Sequence, residues 1–111
     1  MKYLVTMEMM ESALSNLLGS PQQMAQHIEQ LLNQHEALIK LETEKKVLAP
    51  GSPIGKKADV FIADVASDEE LNDLIMSLPL FVKMNVEVTP LVDFKVQDEK
   101  IRQNLERFKT Q

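Results

Sequence analysis

The chain has 111 residues, of which 44% are hydrophobic and 26% charged, so it can form one globular domain with its own core. Its net charge of −5 argues against nucleic acid or an anionic membrane surface as the main partner. The chain contains no cysteine, which excludes disulfides, thiol nucleophiles and thiolate metal sites. The opening sequence MKYLVTMEMM has neither the apolar core of a signal peptide nor the length of a membrane span, so we expect a cytoplasmic protein.

The N-terminal part of the chain predicts a strand followed by helices. Apolar and polar side chains alternate over residues 3–9, which is typical of a strand. Residues 10–18 predict a short helix that needs a packing partner, because an isolated helix of this length is unstable. Ser20 and Pro21 are typical of the N-cap and the first position of a helix. The long helix that they start should run to about residue 40–43.

The long helix carries a histidine in its apolar face. At about 100° per residue, one stripe contains Met24, Ile28, Leu31, Leu32, Leu38 and Ile39. His35 falls in the middle of this stripe and His27 at its edge. A histidine in such a place is either a core residue with a hydrogen-bond partner or a general acid/base in a pocket between helix and sheet. We take His35 as the candidate catalytic residue. The candidate assisting groups are Tyr3, Glu8 and Glu42.

The residue pattern predicts neither a metal site nor a cofactor. His27 and His35 are separated by roughly 12 Å along a helix, so their imidazoles lie too far apart to share an ion. The loop of residues 50–57 contains Lys56 and Lys57 but does not match a phosphate-binding P-loop. Its proline and glycine content favours a solvated hairpin turn instead.

Three further strands are predicted in the second half of the chain. Residues 44–49 predict a short strand, and residues 59–65 predict a strand with apolar side chains on both faces. Residues 85–91 alternate between apolar and polar side chains. Because Pro90 cannot donate a hydrogen bond to a neighbouring strand, this last strand should lie at an edge of the sheet or end there.

A helix is predicted between the last two of these strands. Ser67 and Glu70 match a capping box, in which each side chain accepts a hydrogen bond from a free backbone N–H at the helix start. Pro79 ends the helix, because it lacks an N–H and disfavours helical geometry in the preceding residue. The apolar stripe of this helix consists of Leu71, Leu74, Ile75 and Leu78.

The C-terminal residues predict one more amphipathic helix, which Gln97 or Asp98 can open. Its apolar stripe consists of Ile101, Leu105 and Phe108. A narrow stripe at a chain end usually docks on its own domain or on a neighbouring subunit. We therefore divide the chain into an α+β domain, residues 1–94, and a C-terminal docking helix, residues 95–111.

The main elements follow the order β-α-β-β-α-β, which is the ferredoxin-like plan of one antiparallel sheet with both helices on one face. The apolar strand of residues 59–65 needs cover on the other face of the sheet as well. A second copy of the sheet is the simplest cover. We therefore predict an α+β homodimer, or a higher homo-oligomer, in which two sheets form a barrel-like interface.

Two stretches of the sequence resemble known proteins. Residues 67–91, SDEELNDLIMSLPLFVKMNVEVTPL, resemble the C-terminal part of the muconolactone Δ-isomerase family, and MKYLVTMEM resembles its opening strand. That family belongs to the dimeric α+β barrel superfamily, and the resemblance implies assembly from dimers. Residues 35–51, HEALIKLETEKKVLAPG, resemble the YciI-like proteins of the same superfamily, and His35 corresponds to their helical histidine.

The resemblance implies an isomerase that acts on a small unsaturated lactone or cyclic organic acid by a cofactor-free proton shift. His35 would be the base or acid of such a reaction. One alternative is a non-catalytic oligomeric binding or scaffold protein whose pocket is filled by Met and Leu side chains. Another is a cofactor-independent monooxygenase or cyclase on the same barrel, which four Phe, one Tyr and no Trp disfavour. An open pocket beside His35 would favour an enzyme over a scaffold.

Overall fold

The computed structural model describes residues 1–15 and 19–110, which form a four-stranded antiparallel sheet with helices. The strands are β1 (Lys2–Met9), β2 (Val47–Gly51), β3 (Ala58–Asp64) and β4 (Met84–Leu91), in the sheet order β2-β3-β1-β4. The helices are α1 (Glu11–Ser15), α2 (Pro21–Thr43), α3 (Asp68–Met76) and α4 (Phe94–Lys109). This arrangement confirms the predicted α+β ferredoxin-like plan with an added C-terminal helix. Within the described residues, no helix is both long and apolar enough to cross a membrane.

One face of the sheet carries the core. The alternate side chains Tyr3, Val5, Met7 and Met9 of β1 are buried, as the period of two predicted. Val5 lies opposite Phe61 of β3, and both are almost completely buried. The core also contains Leu38 from α2 and the whole predicted apolar stripe Leu71, Leu74, Ile75 and Leu78, whose last member lies two residues beyond the end of α3.

The other face of the sheet keeps apolar side chains at the surface of the single chain. Leu4 of β1 pairs with Ile62 of β3, and Thr6 pairs with Val60. Leu4 is 36% exposed and the other three side chains are half-buried. This open face, which contains Leu4, Thr6, Val60 and Ile62, thus leaves apolar side chains partly accessible in the single chain.

Capping side chains fix the starts of α2 and α3 as the sequence predicts. The hydroxyl of Ser20 accepts a hydrogen bond from the N–H of Gln23 at 3.1 Å. The hydroxyl of Ser67 accepts from the N–H of Glu70 at 3.2 Å. The Glu70 carboxylate in turn accepts from the N–H of Ala66 at 3.1 Å, so the side chain reaches back as predicted but bonds to the residue before the N-cap and not to the N–H of Ser67.

The short N-terminal helix and the C-terminal helix differ from their predicted bounds. Helix α1 covers Glu11–Ser15, while residues 16–18, including the predicted apolar Leu17 and Leu18, lie outside the described residues. Helix α4 begins at Phe94, and the side chain of Asp93 caps it by accepting from the N–H of Lys95 at 3.0 Å. The prediction that Gln97 or Asp98 opens this helix was therefore wrong, because an earlier aspartate already satisfies its first turn.

Strand β2 also starts later than predicted. Helix α2 continues to Thr43, and Lys45 then takes the left-handed backbone conformation with a φ of 63°. Because of this turn, the strand begins at Val47 and not at residue 44 as predicted. The strand includes Pro50, which its edge position in the sheet tolerates.

Candidate active site

The centre of the candidate site is Asp59, a buried carboxylate on β3 that is only 3% exposed. Asp59 pairs with Met7 of β1, so it lies on the face of the sheet that carries the core. The amide Nε2 of Gln34 donates to its Oδ2 at 2.7 Å. Its Oδ1 lies 3.0 Å from Nε2 of His35 and accepts from the Ser52 hydroxyl at 3.3 Å. Three side chains from α2 and the β2–β3 loop therefore converge on one carboxylate.

The orientation of the Gln34 amide is fixed by a second contact. Gln34 is completely buried, and its Oε1 accepts a hydrogen bond from the backbone N–H of Leu80 at 2.8 Å. Because Leu80 must donate there, the NH₂ group of Gln34 faces Asp59. The Nε2 atom also lies 3.3 Å from the sulfur of Met84. Gln34 thus ties α2 to β3 and to the turn that follows α3.

The contact with Asp59 also selects the tautomer of His35. A carboxylate only accepts hydrogen bonds, so Nε2 of His35 carries the proton that it donates to Asp59. The lone pair of a neutral imidazole is then on Nδ1. The side chain of His35 is 44% exposed whereas that of Asp59 is 5% exposed. The imidazole of His35 is therefore partly accessible to solvent, while the carboxylate that positions it is buried.

His35 and Asp59 line an open cavity of about 420 Å³. Its apolar lining consists of Met9, Leu14, Met24, Ile28, Leu31 and Met84. Lys56 and Lys57 from the β2–β3 loop also line it, as does His27. A smaller cavity of about 190 Å³, which includes Leu38, Ile39 and Pro50, also reaches the His35–Asp59 pair. An apolar cavity with a few convergent polar groups is the usual form of a small-molecule site.

Residues 1–97 match the sequence model of the muconolactone delta-isomerase family. The chain belongs to this family. The muconolactone Delta-isomerase of Rhodococcus opacus is 42% identical over 38 residues, which are 34% of this chain and 41% of that protein. The matched segment thus spans less than half of the curated relative. A crystal structure of muconolactone isomerase aligns with a TM-score of 0.66 and 26% identity, over 84% of this chain and 90% of that chain. The predicted resemblance to the muconolactone Δ-isomerase family is therefore confirmed.

This muconolactone isomerase family member gathers only one of the four predicted site residues at Asp59, namely His35. The hydroxyl of Tyr3 donates to Asp68 at the start of α3, and this hydrogen bond, together with burial, raises the pKa of Tyr3. Glu8 is exposed and belongs to the alternate set of β1 side chains that faces away from the core. Glu42 is exposed near the end of α2.

The buried face of α2 is rotated from the predicted stripe. Its buried side chains are His27, Gln34 and Leu38, whereas Leu32 is 56% and Ile39 57% exposed. The prediction that the stripe centred on His35 faces the sheet was wrong, because the helix instead buries a face that contains His27 and Gln34. The partner of Gln34 explains this rotation, since the buried carboxylate of Asp59 needs donors from the helix that covers it.

Asp59, Gln34 and Ser52 were not singled out from the sequence. A signal for Asp59 was present, because an acidic residue in a strand that is apolar on both faces must find partners when it is buried. Gln34 and Ser52 gave no such signal, since isolated polar residues are common in helices and loops. In the described part of the chain, no three His, Asp or Glu side chains are grouped as metal ligands.

Proposed function

We propose that this chain is an isomerase that moves a proton, and with it a double bond, within a small unsaturated lactone or cyclic organic acid, without a cofactor. Family membership and the shared fold support an isomerase-like function. The observation that carries the proposal is the His35–Asp59 pair at 3.0 Å on the wall of an open, largely apolar cavity. That cavity also favours an enzyme over a scaffold with a filled pocket.

In the proposed reaction, Nδ1 of His35 removes a proton from a carbon next to the substrate carbonyl. The electron pair of the broken C–H bond is delocalised into the conjugated enolate. The imidazolium then returns the same proton to the far carbon of the conjugated system, so the double bond moves and nothing is gained or lost. Asp59 accepts the Nε2–H of His35 and stabilises the imidazolium, and its other hydrogen bonds hold it as a positioning residue.

The charges around the cavity support an acidic substrate. Lys56 and Lys57 contribute positive charge to its lining, while the apolar side chains suit a carbon ring. A substrate carboxylate beside the two lysines would place the ring against His35. The lysines would thus contribute binding and orientation, and the histidine would contribute the proton transfer.

We further propose that the protein acts as a homo-oligomer. The open face with Leu4, Val60 and Ile62 would pair with the same face of a second copy. Every described residue of α4 is exposed in the single chain, including its apolar Ile101 and Leu105. This supports docking of the C-terminal helix, which we assign to residues 95–111, on a neighbouring subunit rather than on its own domain.

The catalytic proposal is tested by following the shift of the double bond in a carboxylated unsaturated lactone by ¹H NMR. We expect His35→Gln to slow the shift by about 10²- to 10⁴-fold, the usual contribution of a general base. Glu36→Gln is the matched control, because this neighbouring residue on α2 is exposed. A wild-type rate in His35→Gln, or an equal loss in Glu36→Gln, would contradict the role of the histidine.

A further inference from the structure

A second cleft, of about 380 Å³, lies between α1, α2 and the 3₁₀ turn Phe81–Lys83. Its lining shares His27 with the cavity of the proposed active site but includes neither His35 nor Asp59. The polar side chains that line it are Ser12, Gln23, Gln26, His27, Gln30 and Lys83. None of the described lining residues is an aspartate or glutamate, so the charge facing the cleft is positive.

His27 is the most unusual group in this cleft. The residue is only 7% exposed, and its Nδ1 has no hydrogen-bond partner among the described residues. A buried polar atom without a partner is costly and rare in folded proteins. Burial, and next the positive charges of Lys83 and Lys57, lower the pKa of His27. Burial and the neighbouring lysines thus both disfavour a positive charge on the imidazole, and the lysines favour an anion nearby.

Lys83 is arranged to hold such an anion. Its Nζ donates to Oε1 of Gln30 at 2.7 Å, which fixes the ammonium group over the cleft. An ammonium group has three N–H donors, so two remain for a ligand. The same contact occupies the oxygen of the Gln30 amide and leaves its NH₂ group as a further donor.

We propose that this cleft is a second binding site, which takes a small organic acid through its carboxylate. Lys83 supplies the charge, Gln30 supplies a directed hydrogen bond, and His27 lines the cleft as the group that senses the bound charge. The site is separate from the proposed catalytic pair, so it does not depend on the isomerase activity. A bound carboxylate would partly offset the positive charge around His27. We therefore expect the pKa of His27 to rise toward its ordinary value.

The test is an NMR titration of the ring nitrogens of both histidines in the full-length, ¹⁵N-labelled protein. Succinate is the organic acid probe, inorganic phosphate tests a general oxyanion site, and sodium chloride at equal ionic strength is the control. We expect a saturable response of His27 to succinate, with a raised pKa, that persists in His35→Gln. Persistence in that variant shows that the response does not need His35, and because His27 lines both cavities, the variants of Lys83 assign it to the cleft.

Two variants of the lysine decide the assignment. Lys83→Met should weaken succinate binding by about tenfold or more, the usual effect of losing a charge-assisted hydrogen bond, and Lys83→Arg should retain most of it. Both variants keep the cleft side chain long, and their ¹H–¹⁵N spectra check the fold. The proposal is overturned if His27 does not respond, if it responds equally in Lys83→Met, or if only His35 responds. If His27 responded to phosphate but not to succinate, the cleft would bind an adventitious ion only, and the proposal of an organic acid site would also be overturned.

Discussion

Gln34 offers the clearest test of how the site is built into the core. It is completely buried, donates to Asp59 at 2.7 Å and accepts from the N–H of Leu80 at 2.8 Å. Gln34→Met keeps the length of the side chain and deletes both hydrogen bonds. A bond to a charged group contributes about 1.5–3 kcal/mol, and a buried N–H left without a partner costs about 1–3 kcal/mol. After roughly 1 kcal/mol is offset by the added apolar burial, the free energy of unfolding should fall by roughly 1.5–5 kcal/mol.

The assay is urea unfolding followed by far-ultraviolet circular dichroism, since the chain has no tryptophan. Protein concentration must be fixed, because association contributes to apparent stability. Gln26→Met is the matched control on the exposed surface of the same helix, and it should change the stability by less than about 0.5 kcal/mol. The reasoning fails if Gln34→Met loses less than about 1 kcal/mol, or no more than Gln26→Met.

Four other changes test separate features. The native state holds the pKa of His27 below its ordinary 6.5, so the unfolded chain takes up a proton first and the free energy of unfolding should decrease as pH falls below about 6.5. In His27→Met, the free energy of unfolding measured in urea should depend less on pH between about pH 7.5 and pH 5. Ile62→Lys places a charge in the open face, so light scattering should show a smaller assembly; an unchanged mass would argue against paired sheets. Deletion of residues 95–111 should reduce the mass of the assembly while the sheet stays folded. If the circular dichroism spectrum of the truncated chain showed an unfolded sheet, α4 would instead stabilise its own domain. Ser67→Ala should cost about 1 kcal/mol through the lost N-cap, and a thermal melt that does not shift would contradict that role.

The fold could be predicted because its signals are local. Ser20 with Pro21 marks the start of α2, and Ser67 marks the start of α3, whatever the rest of the chain does. The alternation in β1 likewise follows from the two-residue period of a strand. The start of β2 was missed because it depends on the left-handed backbone of Lys45, and that residue type gives no sign of such a conformation.

The site could be predicted only in part, because it depends on contacts between residues distant in sequence. His35 was found by its place in a helical stripe, although the helix is rotated so that Gln34 is buried instead. The rotation is set by Asp59, which is 25 residues further along the chain from Gln34 and could not be paired with it from periodicity. Tyr3 was proposed as an assisting group, and the structure instead joins it to Asp68.

The exposure of α4 has a consequence for how the protein can be observed. An isolated helix of 16 residues is only marginally stable in water, and this one has all of its described residues exposed in the single chain. In the proposed assembly its helicity depends on docking, so we expect dilution to lower the ellipticity at 222 nm and speed amide exchange in this segment while the sheet stays protected. The C-terminal helix would then report the concentration of subunits without any label.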